Sequence, residues 1–427
     1  MNFFKNKFAQ LGLFFSVIGP GIVTAFADND AGGIATYAAA GAKYGYGLLF
    51  TMFISSICLA IAQEISARTG VVTGRGLSDL IRERFGVKWT LFAMVVLLIA
   101  NIGTTASEFS GIATSFEIFG ISKYLSVPIM SLLIWWLVLK ANYNRIEKIF
   151  LLLCVTFLSY IISGVIVDPP WKEVLLASVT PTFFHDADFL LMAIGVIGTT
   201  ITPWGQFYVQ ASVVDKGITA KDYHFTFWDV MIGAFFTWLI AFFIIVATAA
   251  TLYANQISIE TAGDAALALA PLAGKYASML FSFGLLGASM LAAFILPLST
   301  AYAVCEAFGF ERGISKTQEE APVFFGLYTA LIILGAALVL WPDVSLYQIM
   351  LTSQVINGIL LPPILIFMVL IANDKNIMGS FANSPWYSIV SWIFTWVLII
   401  LTILLVFSTV MPDSIDMLMN LLDFATK

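Results

Sequence analysis

Charge is scarce in this 427-residue sequence: Asp, Glu, Lys and Arg supply 11% of it against 60% hydrophobic residues, and the mean hydropathy is +0.95. Soluble domains carry about 25% charged residues, so a water-soluble globular fold is excluded. Histidine is nearly missing, with only His185 and His224. Cys58, Cys154 and Cys305 fall in three different apolar stretches, which argues against a disulfide framework and against a clustered metal site. No H-E-x-x-H, G-x-S-x-G or P-loop pattern occurs, and the connecting segments are too short for a soluble catalytic domain, so an enzyme is not expected. A net charge of −6 and the lack of any nucleic-acid signature exclude nucleic acid as a partner.

Long apolar runs are what the sequence has instead. Eleven stretches are long enough to cross a bilayer, which takes roughly 20 helical residues: 14–41, 46–67, 89–118, 124–142, 147–167, 187–213, 226–252, 277–309, 322–341, 346–372 and 385–411. They predict an all-α integral membrane protein, with 1–427 as one transmembrane domain. Lysine and arginine orient it, because positively charged loops stay cytoplasmic. With the N-terminus inside, only Lys43, Lys123, Lys172, Lys275 and Lys427 of the 20 basic residues fall outside, and an odd number of spans puts the C-terminus outside. The opening MNFFKNKF and its apolar run are read as a retained span rather than a cleaved signal, since the stretch stays apolar to Ala42.

The first stretch is interrupted where it should be most apolar. TAFADNDAGGIATY, Thr24 to Tyr37, holds Asp28, Asp30, Gly32 and Gly33. An Asp at a helix centre costs about 2.5 to 3.5 kcal/mol on insertion scales, and each glycine costs about 1 kcal/mol of helix propensity relative to alanine. Two acids beside two glycines predict an unwound segment whose oxygens line a cavity or meet an ion. Glycines for close helix packing, with Asp28 paired to a buried partner, are the plainer alternative. The sixth stretch, GVIGTTITPWGQFYVQAS, sets Pro203 in mid-span between Gly198 and Gly205, beside Thr199, Thr200, Thr202 and Gln206. Proline there removes a backbone donor and clashes with the preceding turn. Broken spans five apart are the arrangement of a secondary transporter with inverted repeats and a midplane site between discontinuous helices. The repeats would cover 14–167 and 187–372, with 385–411 as an additional helix.

Longer motifs carry a resemblance. GPGIVTAFADNDAGGIAT resembles the first helix of the Nramp family of divalent-metal transporters, in which a Gly-Pro-Gly opening precedes an Asp-Pro-Gly-Asn break; Asp30, Ala31, Gly32 and Gly33 occupy the four break positions. ARTGVVTGRGLSDLIRERFG, Ala67 to Gly86, resembles that family's loop after the second helix. SEFSGIATSFEIFGIS is similar to its third helix, RIEKIF to the start of its fifth and SQVINGILLPP to its tenth. The similarity runs from Gly19 to Pro363 and implies a LeuT-type architecture, two inverted five-helix repeats with helices 1 and 6 broken and about eleven transmembrane helices in all. There are departures. Gly33 stands where the family has a metal-binding Asn, Thr202, Pro203 and Trp204 replace its Met-Pro-His, and Val209 replaces a second His. Thr105 replaces an acid of the third helix used in proton transfer, while Glu108 is kept.

These departures share a direction. Losing a thioether at Thr202 leaves oxygen donors, which favour magnesium, calcium or manganese. Losing the Asn side chain at Gly33 makes room for water, and Mg2+ keeps several waters while held through one or two carboxylates. The resemblance thus implies the Nramp-related magnesium branch: uptake of Mg2+, and of Mn2+, as a partly hydrated ion at Asp30, Thr202 and Gln354, with Thr199 offering a backbone carbonyl and Gly33 the space. Asp28 and Gln206 are outer candidates. Glu108, Asp229 and Trp204 are candidates for coupling or for the pathway, alongside Glu117 and Glu306. With both histidines near span ends, a proton relay near neutral pH is not expected. Two charges moving inward through 100 mV gain about 4.6 kcal/mol, at about 2.3 kcal/mol per charge, enough to drive uncoupled uptake. A proton-coupled Mn2+ or Fe2+ transporter is the alternative; acids at the break disfavour an amino-acid carrier, and no filter ring or sensor domain suggests a channel or receptor. Beyond the transported ion and the lipid bilayer, neither a cofactor nor an obligate protein partner is expected. The expected location is a prokaryotic plasma membrane.

Overall fold

The computed structural model describes residues 19–140, 155, 158–182 and 187–410, and every regular element among them is helical. The first apolar stretch forms two short helices, α1 (Pro20–Asp28) and α2 (Ala31–Tyr44). There follow α3 (Leu49–Thr73), α4 (Leu77–Phe85), α5 (Val87–Glu117), α6 (Lys123–Lys140), α7 (Leu158–Ile166) and α8 (Trp171–Val179). The sixth stretch is again two helices, α9 (Ala187–Thr200) and α10 (Pro203–Asp215). The chain continues through α11 (Tyr223–Thr251), α12 (Ala277–Phe308), α13 (Pro322–Leu340), α14 (Leu346–Asn373) and α15 (Pro385–Val410).

Among the described residues, nine segments are long and apolar enough to cross a membrane, α9 and α10 counting together. The halves of the broken first stretch are each too short for that count. The expected span 147–167 is described only at its end, as α7. Its RIEKIF start lies outside the described residues, as do Lys5, Lys7, Arg145, Lys148, Cys154, His185 and Lys427. The α9–α10 pair and α12 are the most interior segments, while α6 and α15 turn Leu132, Trp136, Trp386 and Ile393 outward, as helices bordering lipid do.

Within lipid, helices pack through small residues and hydrogen bonds rather than a hydrophobic drive, and α1 is held on α11 in this way. A Cβ on Gly21 would lie 2.8 Å from the Val230 backbone, and one on Gly233 would lie 2.7 Å from the Gly21 carbonyl oxygen. The Asp229 carboxylate accepts from the N–H groups of Gly19 (3.1 Å), Gly21 (2.7 Å) and Ile22 (3.4 Å), donors that a helix start leaves unpaired. Two turns on, Thr237 Oγ1 donates to the Ala25 carbonyl at 3.0 Å.

A second tie lies toward the end of α3 that carries Arg68. Glu64 pairs with Arg68 (2.7 Å) and accepts from the hydroxyls of Tyr223 and Tyr387. Arg68 also donates to the Phe381 carbonyl and to Asn383 Oδ1 (2.6 Å), which joins α3, α11 and the start of α15.

Candidate metal centre

The first span breaks for local reasons. The Asn29 side-chain amide folds back to the Ala25 carbonyl (3.2 Å), and Asp30 is extended, at φ −76° and ψ −176°. Aspartate is among the preferred N-caps, and Asp30 Oδ1 caps α2 by accepting from the Gly33 N–H at 2.6 Å. Glu108 of α5 accepts from the Ala31 N–H at 3.2 Å. Two unpaired donors at the start of α2 are thus met by carboxylates, the charge that the positive end of the helix dipole favours. The sixth span breaks because Pro203 lacks the N–H that would return to the Thr199 carbonyl four residues back. Thr202 is extended, at φ −78° and ψ 140°, and Pro203 opens α10.

The two glycines of the first break do different work. A Cβ on Gly32 would sit 1.8 Å from Gln354 Nε2, so the bare backbone admits this side chain from α14. A Cβ on Gly33 would lie 3.1 Å from Thr199 Oγ1, 3.2 Å from the Asp28 carbonyl oxygen and 3.2 Å from Asp30 Oδ1. Three oxygens from two broken spans therefore surround the point from which a side chain at 33 would grow. Glu108 and Gln354 flank the Asp30 carboxylate, yet Asp30 Oδ2, Glu108 Oε1, Thr199 Oγ1 and Gln354 Nε2 are all buried without a hydrogen-bond partner. Buried polar groups are rarely left so. Gln354 turns its Oε1 to Asn357 Nδ2 (2.9 Å), so offering oxygen at Asp30 requires its amide to rotate.

Thr202 lies elsewhere than beside Asp30. Its Oγ1 donates to Asp28 Oδ1 at 2.9 Å, and Gln63 Nε2 of α3 donates to Asp28 Oδ2 at 3.1 Å. The expected residues thus form two groups: Asp30 with Thr199, Gln354 and Glu108, and Asp28 with Thr202 and Gln63. The Asp28 carbonyl and carboxylate connect them. Gln206, one turn into α10, has its Oε1 3.5 Å from Ser66 Oγ. Among the described residues no cluster of three or more His, Cys, Asp or Glu is formed; the donors here are carboxylate, hydroxyl, amide and carbonyl.

The coupling candidates separate too. Only Glu108 touches the break. Asp229 is occupied in capping α1, and Glu306 accepts from Ser78 Oγ (3.2 Å) and pairs with Arg312 (3.3 Å). Trp204 is fully buried, its carbonyl taking a bond from Ser299 Oγ (3.1 Å) and its ring meeting Tyr208, with neither Asp28 nor Asp30 among these contacts. Glu117 lines a cavity of about 430 Å³ with Lys123, Glu260 and Tyr347, at the far end of α5 from Lys88.

A family profile described as Natural resistance-associated macrophage protein-like matches residues 21–408. The chain belongs to the Nramp family. Relatives of this Nramp protein include the divalent metal cation transporter MntH of Bacillus subtilis, 25% identical over 404 residues that cover 92% of each chain. MntH 1 of Pseudomonas aeruginosa is 29% identical over 404 residues, covering 90% of this chain and 88% of that one. Among solved structures, the Eremococcus coleocola manganese transporter in complex with an aromatic bis-isothiourea substituted compound matches with a TM-score of 0.73 at 20% identity, over 93% of this chain and 86% of that chain. MhsT in complex with L-phenylalanine matches at 0.60 and 15% identity, over 91% and 98%. The fold is therefore the LeuT-type fold expected, and the Nramp relatives are transporters, not enzymes.

Sequence reasoning missed Gln63. Its signal was the polar run Gln63-Glu64 inside an otherwise apolar span, the same kind of interruption that drew attention to Asp28 and Asp30.

Proposed function

We propose that this Nramp-family protein takes up hard divalent cations, Mg2+ first and Mn2+ with it, across a prokaryotic plasma membrane, and that the ion binds partly hydrated at Asp30. Divalent-metal transport follows the family and its MntH relatives. The step to Mg2+ rests on one observation, the convergence of Thr199 Oγ1, the Asp28 carbonyl and Asp30 Oδ1 on the space left by Gly33. Oxygen donors suit hard ions, and a side chain missing at 33 leaves room for the waters that Mg2+ retains. Asp30 supplies the charge through its unpartnered Oδ2, Thr199 its hydroxyl or its proline-freed carbonyl, and Gln354 an oxygen after amide rotation. Thr202 acts from the Asp28 side. Residues 14–167 and 187–372 act as the two repeats around this site, with 385–411 added, the N-terminus cytoplasmic and the C-terminus outside.

Uptake is uncoupled from protons in this reading, because among the described residues no histidine stands at the site and Thr105 takes the place of an acid. One observation favours the second reading, proton-coupled Mn2+ or Fe2+ transport: Glu108 carries an unpartnered oxygen beside Asp30. Ion flux into proteoliposomes decides. Mg2+ and Mn2+ should enter, Cd2+ should not, and Asp30→Ala should abolish entry. Robust Cd2+ entry without Mg2+ overturns the hard-ion site, and internal acidification in proportion to Mg2+ entry overturns uncoupled transport.

A further inference from the structure

We infer that Asn357 of α14, backed by Thr104 of α5, is a positioning residue for Gln354: its amide reverses together with that of Gln354, which lets Gln354 change from a donor in the empty site to an oxygen ligand in the loaded one. This rests on the reading of Gln354 as an ion ligand, and it holds whether the ion is Mg2+ or Mn2+.

Helical spacing brings the residues together. Gln354 and Asn357 are three apart on α14, Thr104 and Glu108 four apart on α5, so each pair shares a helix face. Gln354 and Glu108 flank the Asp30 carboxylate, and Asn357 meets Thr104 one turn away. All four side chains are fully buried. The backbone around them is closely seated. A Cβ on Gly198 of α9 would lie 2.1 Å from the Gln354 carbonyl oxygen, and one on Gly358 would lie 2.6 Å from the Ile194 carbonyl oxygen. With α14 held against α9 at this level, adjustment to an arriving ion falls to side chains.

In the structure the amides run one way. Asn357 Nδ2 donates to Gln354 Oε1 (2.9 Å) and to Thr104 Oγ1 (3.0 Å), while Gln354 Nε2 lies over Gly32 with no partner. A donor on that side suits a site that holds only carboxylates, whereas a cation needs an oxygen there. Turning Gln354 over alone would set its Nε2 against Asn357 Nδ2, donor against donor, and a buried donor left unbonded is costly. Reversing Asn357 as well removes the conflict, because its Oδ1 then accepts from Gln354 Nε2. Thr104 permits this. Its hydroxyl lies 3.0 Å from Asn357 Nδ2, 3.2 Å from Asn357 Oδ1 and 3.0 Å from the Ala100 carbonyl oxygen. A hydroxyl both donates and accepts. It can therefore accept from Asn357 Nδ2 while donating to Ala100 in the empty site, and donate to Asn357 Oδ1 in the loaded one. Only an amide backed by such a group serves both orientations of Gln354; an apolar side chain at 357 serves neither.

The test is Mn2+ binding to purified full-length protein by titration calorimetry, a probe that either ion reading admits. Asn357→Leu leaves Gln354 an unbonded carbonyl in the empty site and an unbonded N–H in the loaded one, and the orphaned donor is the less tolerated of the two. Its Kd should rise about tenfold. Thr104→Val should follow it, and Thr104→Ser, which keeps the hydroxyl, should bind as the wild type does. Gln354→Leu should weaken binding at least as much, and adding Asn357→Leu or Thr104→Val to it should cost nothing more, since no amide remains to be oriented. A purely structural role would lower affinity in both backgrounds. A further tenfold loss in the Gln354→Leu background overturns the inference, as does wild-type affinity in Asn357→Leu or Thr104→Val; both results leave Gln354 a ligand. Unchanged affinity in Gln354→Leu removes the ligand reading itself, and the inference with it. The Thr104 variants decide the matter alone if Asn357→Leu does not fold.

Discussion

Carboxylates are buried at two levels of this molecule, and their surroundings differ. Near the end of α3 that carries Arg68, Glu64 takes hydrogen bonds on both oxygens, from Arg68, Tyr223 and Tyr387, and Asp229 takes three backbone N–H groups. At the helix breaks, Asp30 has one bond from Gly33 and Glu108 one from Ala31, and each keeps an oxygen with no partner. A buried carboxylate with a full set of donors is a tie between helices. One left short of partners, in a chain that could have supplied them, is kept for something that arrives later. The comparison sorts acids that composition alone treats alike.

The sharpest way to break this comparison is Asp30→Asn. Removing an unpaired charge from the membrane interior relieves a cost of about 2.5 to 3.5 kcal/mol on insertion scales. The variant should therefore hold or raise thermal stability in detergent while Mg2+ uptake into proteoliposomes falls below detection. A stability loss comparable to that from replacing Glu64 would put Asp30 among the ties. The converse test is Glu64→Gln, which leaves Arg68 buried without its anion. Breaking a buried ion pair costs about 3 to 5 kcal/mol, so this variant should unfold well before the wild type. If it melts like the wild type, saturation is no guide to structural role.

The fold was legible because its signals are local. Apolar runs fix spans such as α12 and α13 to within a residue or two, and Asp30 and Pro203 break their helices through capping and a missing N–H, both readable from neighbours in sequence. The pairing of side chains was not legible. Thr202 was expected with Asp30 and bonds Asp28, and Asp229, a pathway candidate, spends both oxygens on α1, more than 200 residues away. Such partners are set by how helices distant in sequence are brought together, and no periodicity encodes that. Gln63 shows the intermediate case: its polarity in mid-span was visible, while its bond to Asp28 required the packed structure.

A smaller effect sharpens the midplane half of the comparison. Gly33→Asn would carry an amide into the space bounded by Thr199, Asp28 and Asp30, replacing water near the ion. Mg2+ parts with water reluctantly, so uptake of Mg2+ relative to Mn2+ should fall about tenfold, read from competition between the two ions in one liposome preparation. An unchanged ratio would mean that the vacancy at 33 does not set ion choice.

The smallest expected effect belongs to the fully hydrogen-bonded Glu64. Tyr387→Phe removes one hydroxyl from Glu64 and keeps the ring, which lies 5.5 Å from the Arg68 guanidinium. Glu64 still holds its bonds from Arg68 and Tyr223, so no charge is stranded and the loss is that of a single hydrogen bond, about 1 kcal/mol. Thermal unfolding should register a slight drop, and uptake should stay near that of the wild type. A large change in uptake with unchanged stability would make the Glu64 cluster a moving gate rather than a tie between helices. The reason to expect otherwise is redundancy: a carboxylate with several donors loses its hold one bond at a time, whereas one awaiting a single ion fails all at once.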